Sequence, residues 1–314
     1  MFISLIILVV ALVLDQLLGE PRRFHPLVGF GNIANRVERY LNRGDHWGEE
    51  RYWRGVFAWV VMVAPPVIVA IVLHYFLLEF SPIISVLGEA LIVYLALGRK
   101  SLIAHARAVY SKLQQFNMPG ARRAVGLIVT RDTLALDENG VSTAAVESVL
   151  ENGSDAIFAS VFWFALAGIP GVVLHRAANT LDAMWGYRNE RFEEFGWAAA
   201  RFDDVLNYIP ARFTAISYAL CGQLKLALRS WYKQAPQWSS PNAGPVMAAG
   251  AGALAIRLGG AAIYHGESEE RPQLGFGRPA QADDIQRALI LLDRALMLWV
   301  AVLLLAAASN RWLF

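Results

Sequence analysis

GVFAWVVMVAPPVIVAIVLHYFLL, residues 55–78, is a run of 24 residues without Asp, Glu, Lys or Arg. An α-helix needs about 20 such residues to cross the hydrocarbon core of a bilayer, so this stretch reads as a span, with Pro65-Pro66 predicted to kink it. Working outward, Phe80 to Gly98 is interrupted only by Glu89, Met1 to Leu14 is apolar up to Asp15, Ala156 to Leu174 is uncharged for 19 residues, and Ala295 to Asn310 is a last uncharged run. The whole chain is 56% hydrophobic and 17% charged, against roughly 25% charged in soluble proteins. These features define an integral membrane protein. Little period-2 alternation appears between the apolar runs, so the fold is expected to be all-α and polytopic, with four to six spans and a helical cytoplasmic active-site region.

The first segment has neither a basic leader nor a small-residue cleavage site before Asp15 and Gly19, and is expected to stay as a helix. The single cysteine, Cys221, rules out an intrachain disulfide and any multi-cysteine metal site. Net charge is only +2, so there is no nucleic-acid footprint. Basic residues nevertheless cluster, at Arg22, Arg23, Arg36, Arg39, Arg43, Arg51 and Arg54, and again from Arg99 to Arg131. The positive-inside rule puts both loops in the cytoplasm and the N-terminus outside. The organisation expected is one integral membrane domain, 1–314, with cytoplasmic loops 19–54 and 99–155 and a polar motif region 176–287.

Gly168-Ile169-Pro170-Gly171 breaks the run at 156–174 near its middle, which leaves two topologies open. If that run spans, Val205 to Leu224 returns the chain and there are six spans. If it is re-entrant or merely buried, residues 99–287 stay cytoplasmic and there are four.

Five polar clusters lie beside the apolar walls. RDTLALDENGVSTAAVESVLENGSD, residues 131–155, is the densest. With Ser142 or Thr143 as helix cap, Glu147, Glu151 and Asp155 fall at i, i+4 and i+8 on one face. Such like-charge neighbours cost about 0.2–0.5 kcal/mol per pair, which a divalent cation held with phosphate oxygens would offset; a solvated acidic face is the plain alternative. The other clusters are DQLLGEPRRFHPLVGFG (15–31), which presents Glu20 and His25; HRAANTLDAMWGYRNERFEEFG from His175, with Asn179 and Asp182 at i, i+3; ARFDDVLNYIPARFTA, with Asp203 and Asn207 one turn apart and Arg212 beyond Pro210; and SPNAG (240–244), followed by a small-residue helix and Tyr264-His265-Gly266. Ser240 or Asn242 as a cap and close packing of the Ala/Gly helix explain the last cluster structurally. No i, i+4 histidine pair suggests zinc, and no P-loop sequence is present.

Taken together these blocks resemble the CobD/CbiB family of membrane-bound adenosylcobinamide-phosphate synthases. The likeness covers essentially the whole chain: DxxxGEPxxxHP, RDTxxLDExGVSTAAVESVxENxSD, NTLDAMxGYR, FGxxAARxDDxxNxxPARxTA, SPNAG and AGALxxRLGG. One departure stands out. Where many members have Trp-Pro-Glu after Asn-Ala-Gly, this chain has Pro245-Val246-Met247, so the glutamate's role does not transfer; either it is dispensable or another acid such as Glu147 or Glu151 serves.

The resemblance implies an ATP-dependent amide ligase. It would join the carboxylate of adenosylcobyric acid to (R)-1-amino-2-propanol or its O-phosphate at the cytoplasmic face of a bacterial inner membrane, with oligomeric state left open. On that basis Glu147, Glu151, Asp155, Asp203 and Asp204 are expected to place Mg²⁺ on the triphosphate. Arg131 and Arg212 would neutralise phosphate, with Asp132, Asn207 and Ser240 completing the site. Asn179, Asp182 and Asn242 would orient the reactants, and His25 or Glu20 would take the proton from the ammonium. A non-catalytic AmpE-like sensor and a transporter are the competing classes.

Overall fold

The computed structural model describes residues 2–21, 25–43, 48–264 and 266–309. Arg22 and Arg23 of the first basic loop, His265 of the Tyr-His-Gly stretch and Asn310 lie outside the described residues. Helices follow one another as α1 (Phe2–Leu18), α2 (Pro26–Leu41), α3 (Glu49–Leu78), α4 (Pro82–Ala96), α5 (Arg99–Gln114), α6 (Met118–Val125), α7 (Glu138–Gly153), α8 (Ala159–Trp185), α9 (Trp197–Cys221), α10 (Leu224–Gln234), α11 (Ala243–Leu254) and α12 (Ala282–Ser309). Between α11 and α12 run five strands of two to four residues, β1 (Ile256–Gly259), β2 (Ala262–Tyr264), β3 (Glu267–Glu269), β4 (Gln273–Leu274) and β5 (Arg278–Pro279). The chain is helical as expected; the small strands went unforeseen, being too short to show a period.

Among the described residues, four helical stretches are long and apolar enough to cross a membrane: Glu49–Leu78, Pro82–Gln114, Glu138–Trp185 and Ala282–Ser309. This is a multi-pass membrane protein. Side chains such as Val60, Ile68, Val72 and Phe76 of α3 are exposed, an arrangement that suits a hydrocarbon solvent. Helix α1, at 17 residues, is shorter. The Gly-Ile-Pro-Gly break is real: Ala167 (φ −136°, ψ 17°) and Gly168 (φ 62°, ψ −153°) leave helical geometry inside α8, and glycine is the residue that takes this φ without strain. Helix α3 stays helical through Pro65 and Pro66.

The start of α7 differs from expectation. Asp137, not Ser142 or Thr143, is its cap, accepting from the Gly140 amide at 2.7 Å. Ser142 lies inside the helix and donates to the Glu138 carbonyl at 2.8 Å. The helix therefore begins a turn earlier, because an aspartate three residues before Gly140 satisfies the orphan amide first.

The chain divides into two compact units. The first takes residues 1–98, 159–207 and 307–314. Here α3 packs on α8 and α1 on α4, around a core that includes Ala58, Met62, Leu181, Trp185 and Phe195. Two buried carboxylates find partners: Glu89 meets His74 Nδ1 at 2.8 Å, and Glu38 takes two hydrogen bonds from Arg191 at 3.0 and 2.7 Å. Such pairing is what makes a charge tolerable in an apolar environment.

The second unit takes residues 99–158 and 208–306. Every residue of α11 is buried, and it packs on α10. The small-residue reading of this helix holds, since a Cβ on Gly252 would meet the Ala227 backbone at 2.6 Å and one on Gly250 would meet Leu150 at 2.7 Å. Strand β1 pairs antiparallel with β4 and parallel with β5, while β2 and β3 form a separate antiparallel pair.

Candidate functional site

Within the second unit, the end of the loop after α6, the middle of α7, the segment before α11 and the β2–β4 region enclose a cavity of about 720 Å³. Its wall includes Arg131, Glu147, Glu151, Trp238, Ser240 and Arg271. Local hydrogen bonds and ion pairs fix several of them. Asp132 ties its loop to the β2–β3 pair, its amide donating to the Ile263 carbonyl at 2.8 Å and its carboxylate accepting from the Gly266 amide at 2.9 Å. That clamp aims the neighbouring Arg131 at Glu147. Ser148 anchors the same loop to α7 by donating to the Ile128 carbonyl at 2.9 Å. Asp132 is thus a strut for the site, a role its place in the motif did not disclose.

Glu147 is 2% exposed. It is ion-paired with Arg131 and, at 3.2 Å, with Arg271, and it accepts from the Gly259 amide at 2.7 Å. Arginines from 16 residues before and 124 residues after neutralise it. Gly259 is obligatory in that contact, because φ is +78° and a Cβ would run into the Pro272 carbonyl oxygen. Glu151, one turn on, also lines the cavity, and its carboxylate makes no hydrogen bond or ion pair among the described residues. Asp155 departs from the row. It sits in a π-helical turn, Ser154–Phe158, outside the cavity wall, where its charge acts on the buried Tyr218 hydroxyl and pushes that group's pKa up alongside burial. The wider π turn breaks the i, i+4, i+8 register that an unbroken helix would have kept.

Asn242 is the N-cap position of α11 and its side chain makes no cap bond; two residues before it, the Ser240 Oγ accepts from the Asn242 and Ala243 amides at 3.3 and 3.1 Å. Arg212 donates to the Asn242 side-chain oxygen at 2.8 Å and the Pro241 carbonyl at 2.9 Å, with its guanidinium 3.5 Å from the Tyr208 ring centre. The SPNAG turn and the arginine after Pro210 are therefore one assembly. Met247, where the family glutamate was expected, is 2% exposed and lines the same cavity as Glu147 and Glu151.

The first unit holds the remaining candidates. Asp203 accepts from the side-chain amides of Asn179 at 3.3 Å and Asn207 at 2.9 Å. Asn207 in turn meets His175 Nε2 at 2.9 Å, so three of the expected residues form one buried network with a histidine not among them. Asp204 lies 3.8 Å from Arg201. The Asp182 Oδ1 sits where a Cβ on Gly186 would be. Glu20 is exposed. His25 caps α2, with Nδ1 accepting from the Leu27 amide at 3.2 Å, which uses the lone pair that a general base would need.

No three His, Cys, Asp or Glu residues among the described ones are grouped to hold a metal on their own. The cavity instead suits a cation brought with phosphate, which needs only one or two protein carboxylates, and Glu151 with Glu147 supplies that number.

Arg271, Gly259 and Trp238 were not singled out from sequence. Arg271 lies in ESEERPQ, which reads as a solvated charge run. The one available signal was the unbalanced negative charge of the 147–155 face, which called for a distant cation.

A multi-pass helical membrane protein with a charge-lined cavity is the class these observations define. A family model described as CobD/Cbib protein matches residues 8–292, and the chain belongs to this family of cobalamin biosynthesis proteins. Among similar proteins, a cobalamin biosynthesis protein CobD of Stutzerimonas stutzeri is 56% identical over 97% of both chains. Another from Chromobacterium violaceum is 52% identical, again over 97% of both, and one from Rhodobacter capsulatus is 39% identical over 92% of this chain and 93% of its own. No solved structure matches the chain.

Proposed function

We propose that the protein is an ATP-dependent ligase that joins the carboxylate of adenosylcobyric acid to (R)-1-amino-2-propanol O-phosphate, or to the free amino alcohol, at the cytoplasmic face of a bacterial inner membrane. The observation that carries this reading is the cavity in which two arginines, four glutamates and a row of hydroxyl and amide side chains meet. Amide formation from a carboxylate requires an activated acyl group, and phosphoryl transfer is served by positioning and by cationic charge around the phosphates. Arg131 and Arg271 supply that charge. Ser240 and Asn152, also in the wall, offer hydrogen bonds that orient the phosphates, and Glu151 with Glu147 would hold Mg²⁺. When bound, that ion neutralises phosphate oxygens.

Purified protein in lipid nanodiscs should hydrolyse ATP only when a corrinoid carboxylate and an amino alcohol are both supplied. Hydrolysis with neither present, or none with both, contradicts the ligase reading and favours a sensor or transporter.

A further inference from the structure

Arg131 and Arg271 approach Glu147 from opposite sides of the sequence and share its carboxylate, Arg271 Nη1 at 3.2 Å and Nη2 at 3.5 Å. Arg271 is held in place independently, with Nε donating to the Gly260 carbonyl at 3.1 Å and its guanidinium 5.4 Å from the centre of the Trp238 ring. The side chains of Arg131 and Arg271 are only 9% and 8% exposed, yet both open on the cavity. Two fixed, largely desolvated guanidinium groups converging on one point are the geometry that binds a tetrahedral oxyanion. In this structure the anion at that point belongs to the protein.

We propose that Arg131 and Arg271 form a phosphate-binding subsite which the Glu147 carboxylate fills in the ligand-free protein, and that a phosphate group enters by displacing it. This deepens the ligase reading and rests on it only for the identity of the natural ligand. The wall sets Arg131 and Arg271 against Glu147, Glu151, Glu269 and Glu270, so an anion alone is not drawn in strongly while Glu147 holds the arginines. Once phosphate takes the arginines, the Glu147 carboxylate is released one helical turn from Glu151, and the pair then favours a divalent cation. Phosphate and Mg²⁺ should therefore bind with positive coupling, each raising the affinity of the other by the same factor.

The test is binding of pyrophosphate to the full chain in nanodiscs, followed by tryptophan fluorescence and calorimetry, with no corrinoid or amine present. Wild-type protein should bind pyrophosphate saturably, and more tightly with Mg²⁺ than without. Arg271→Ala should weaken binding roughly tenfold or more, as expected for losing charge-assisted hydrogen bonds. Glu147→Gln should tighten Mg²⁺-free binding, because a neutral amide competes poorly for the arginines. Should Glu147→Gln fail to fold, Arg271→Ala and Arg271→Lys carry the test: Ala must lose more affinity than Lys.

Running phosphoethanolamine beside pyrophosphate separates a phosphate monoester from a nucleotide polyphosphate as the source. Whichever binds with dependence on Arg271 supports the subsite. Binding that is indifferent to Arg271, no saturable binding of either probe, or weaker Mg²⁺-free binding in a folded Glu147→Gln variant overturns it. Because no reaction is measured, loss of the dual substrate requirement would sink the ligase reading while leaving this result untouched.

Discussion

Asn207 donates its side-chain amide to Asp203 at 2.9 Å, one turn back along α9. Burial pushes the Asp203 carboxyl up to about 6 from the ordinary 3.8, with the Asn207 and Asn179 amides pulling it part of the way back. A folded pKa above the unfolded one means that the fold prefers the protonated acid. The stabilisation is complete below pH 3.8 and is lost as pH rises through about 6. Asp203→Asn removes this titration, so its Tm relative to wild type should rise between about pH 4 and about pH 6 and level off above that. A relative Tm that stays flat across that range contradicts the assignment.

Gly259 carries a second prediction. Alanine there would meet the Pro272 carbonyl and hold a strained positive φ, which costs about 1–3 kcal/mol. It would also shift the amide that Glu147 accepts. Gly259→Ala should lower both thermal stability and ligation, and an unchanged Tm would show that the turn tolerates a side chain.

Glu151 is an α7 carboxylate of the cavity wall with no hydrogen bond or ion pair among the described residues. Replacement by Gln keeps its volume and removes its charge, so membrane expression and Tm should hold. Ligation should fall by about a hundredfold or more, in the range seen when an electrostatic group is removed from an active site. Near-normal turnover would remove Glu151 from the magnesium assignment.

A cysteine at position 189, in a background with Cys221 replaced, reports on topology. Asn189 lies in the turn between α8 and α9, where its side chain accepts from the Arg191 and Phe192 amides at 3.1 Å. A cytoplasmic location for residues 99–287 requires that a membrane-impermeant thiol reagent label it only after the cells are opened. Labelling from outside would support six spans.

The apolar runs, the break at Gly168 and the turn-spaced pair Asp203 and Asn207 were legible because each is a local pattern: composition, a helix breaker, and a 3.6-residue period. The helix start at the SPNAG turn was legible for the same reason. What surrounds Glu147 was not. Its arginine partners come from a loop and from a region between short strands, and pairing over 124 residues leaves no local trace. Asp155 misled because a π turn, which alters the period by one residue, has no simple sequence mark. His25 looked like a base from its polar neighbours, whereas Pro26 behind it marks the first turn of a helix that it caps.

The central claim, activation of a carboxylate by phosphoryl transfer, is tested most directly with corrinoid substrate carrying ¹⁸O in both carboxylate oxygens. On the proposed reaction, attack of that carboxylate on the γ-phosphorus would expel ADP, and attack of the amine on the acyl carbon would then release phosphate with the bridging oxygen. The account predicts one ¹⁸O in the inorganic phosphate for each amide formed, read by mass spectrometry, with the other retained in the amide. Amide formed alongside phosphate that carries no ¹⁸O would contradict it.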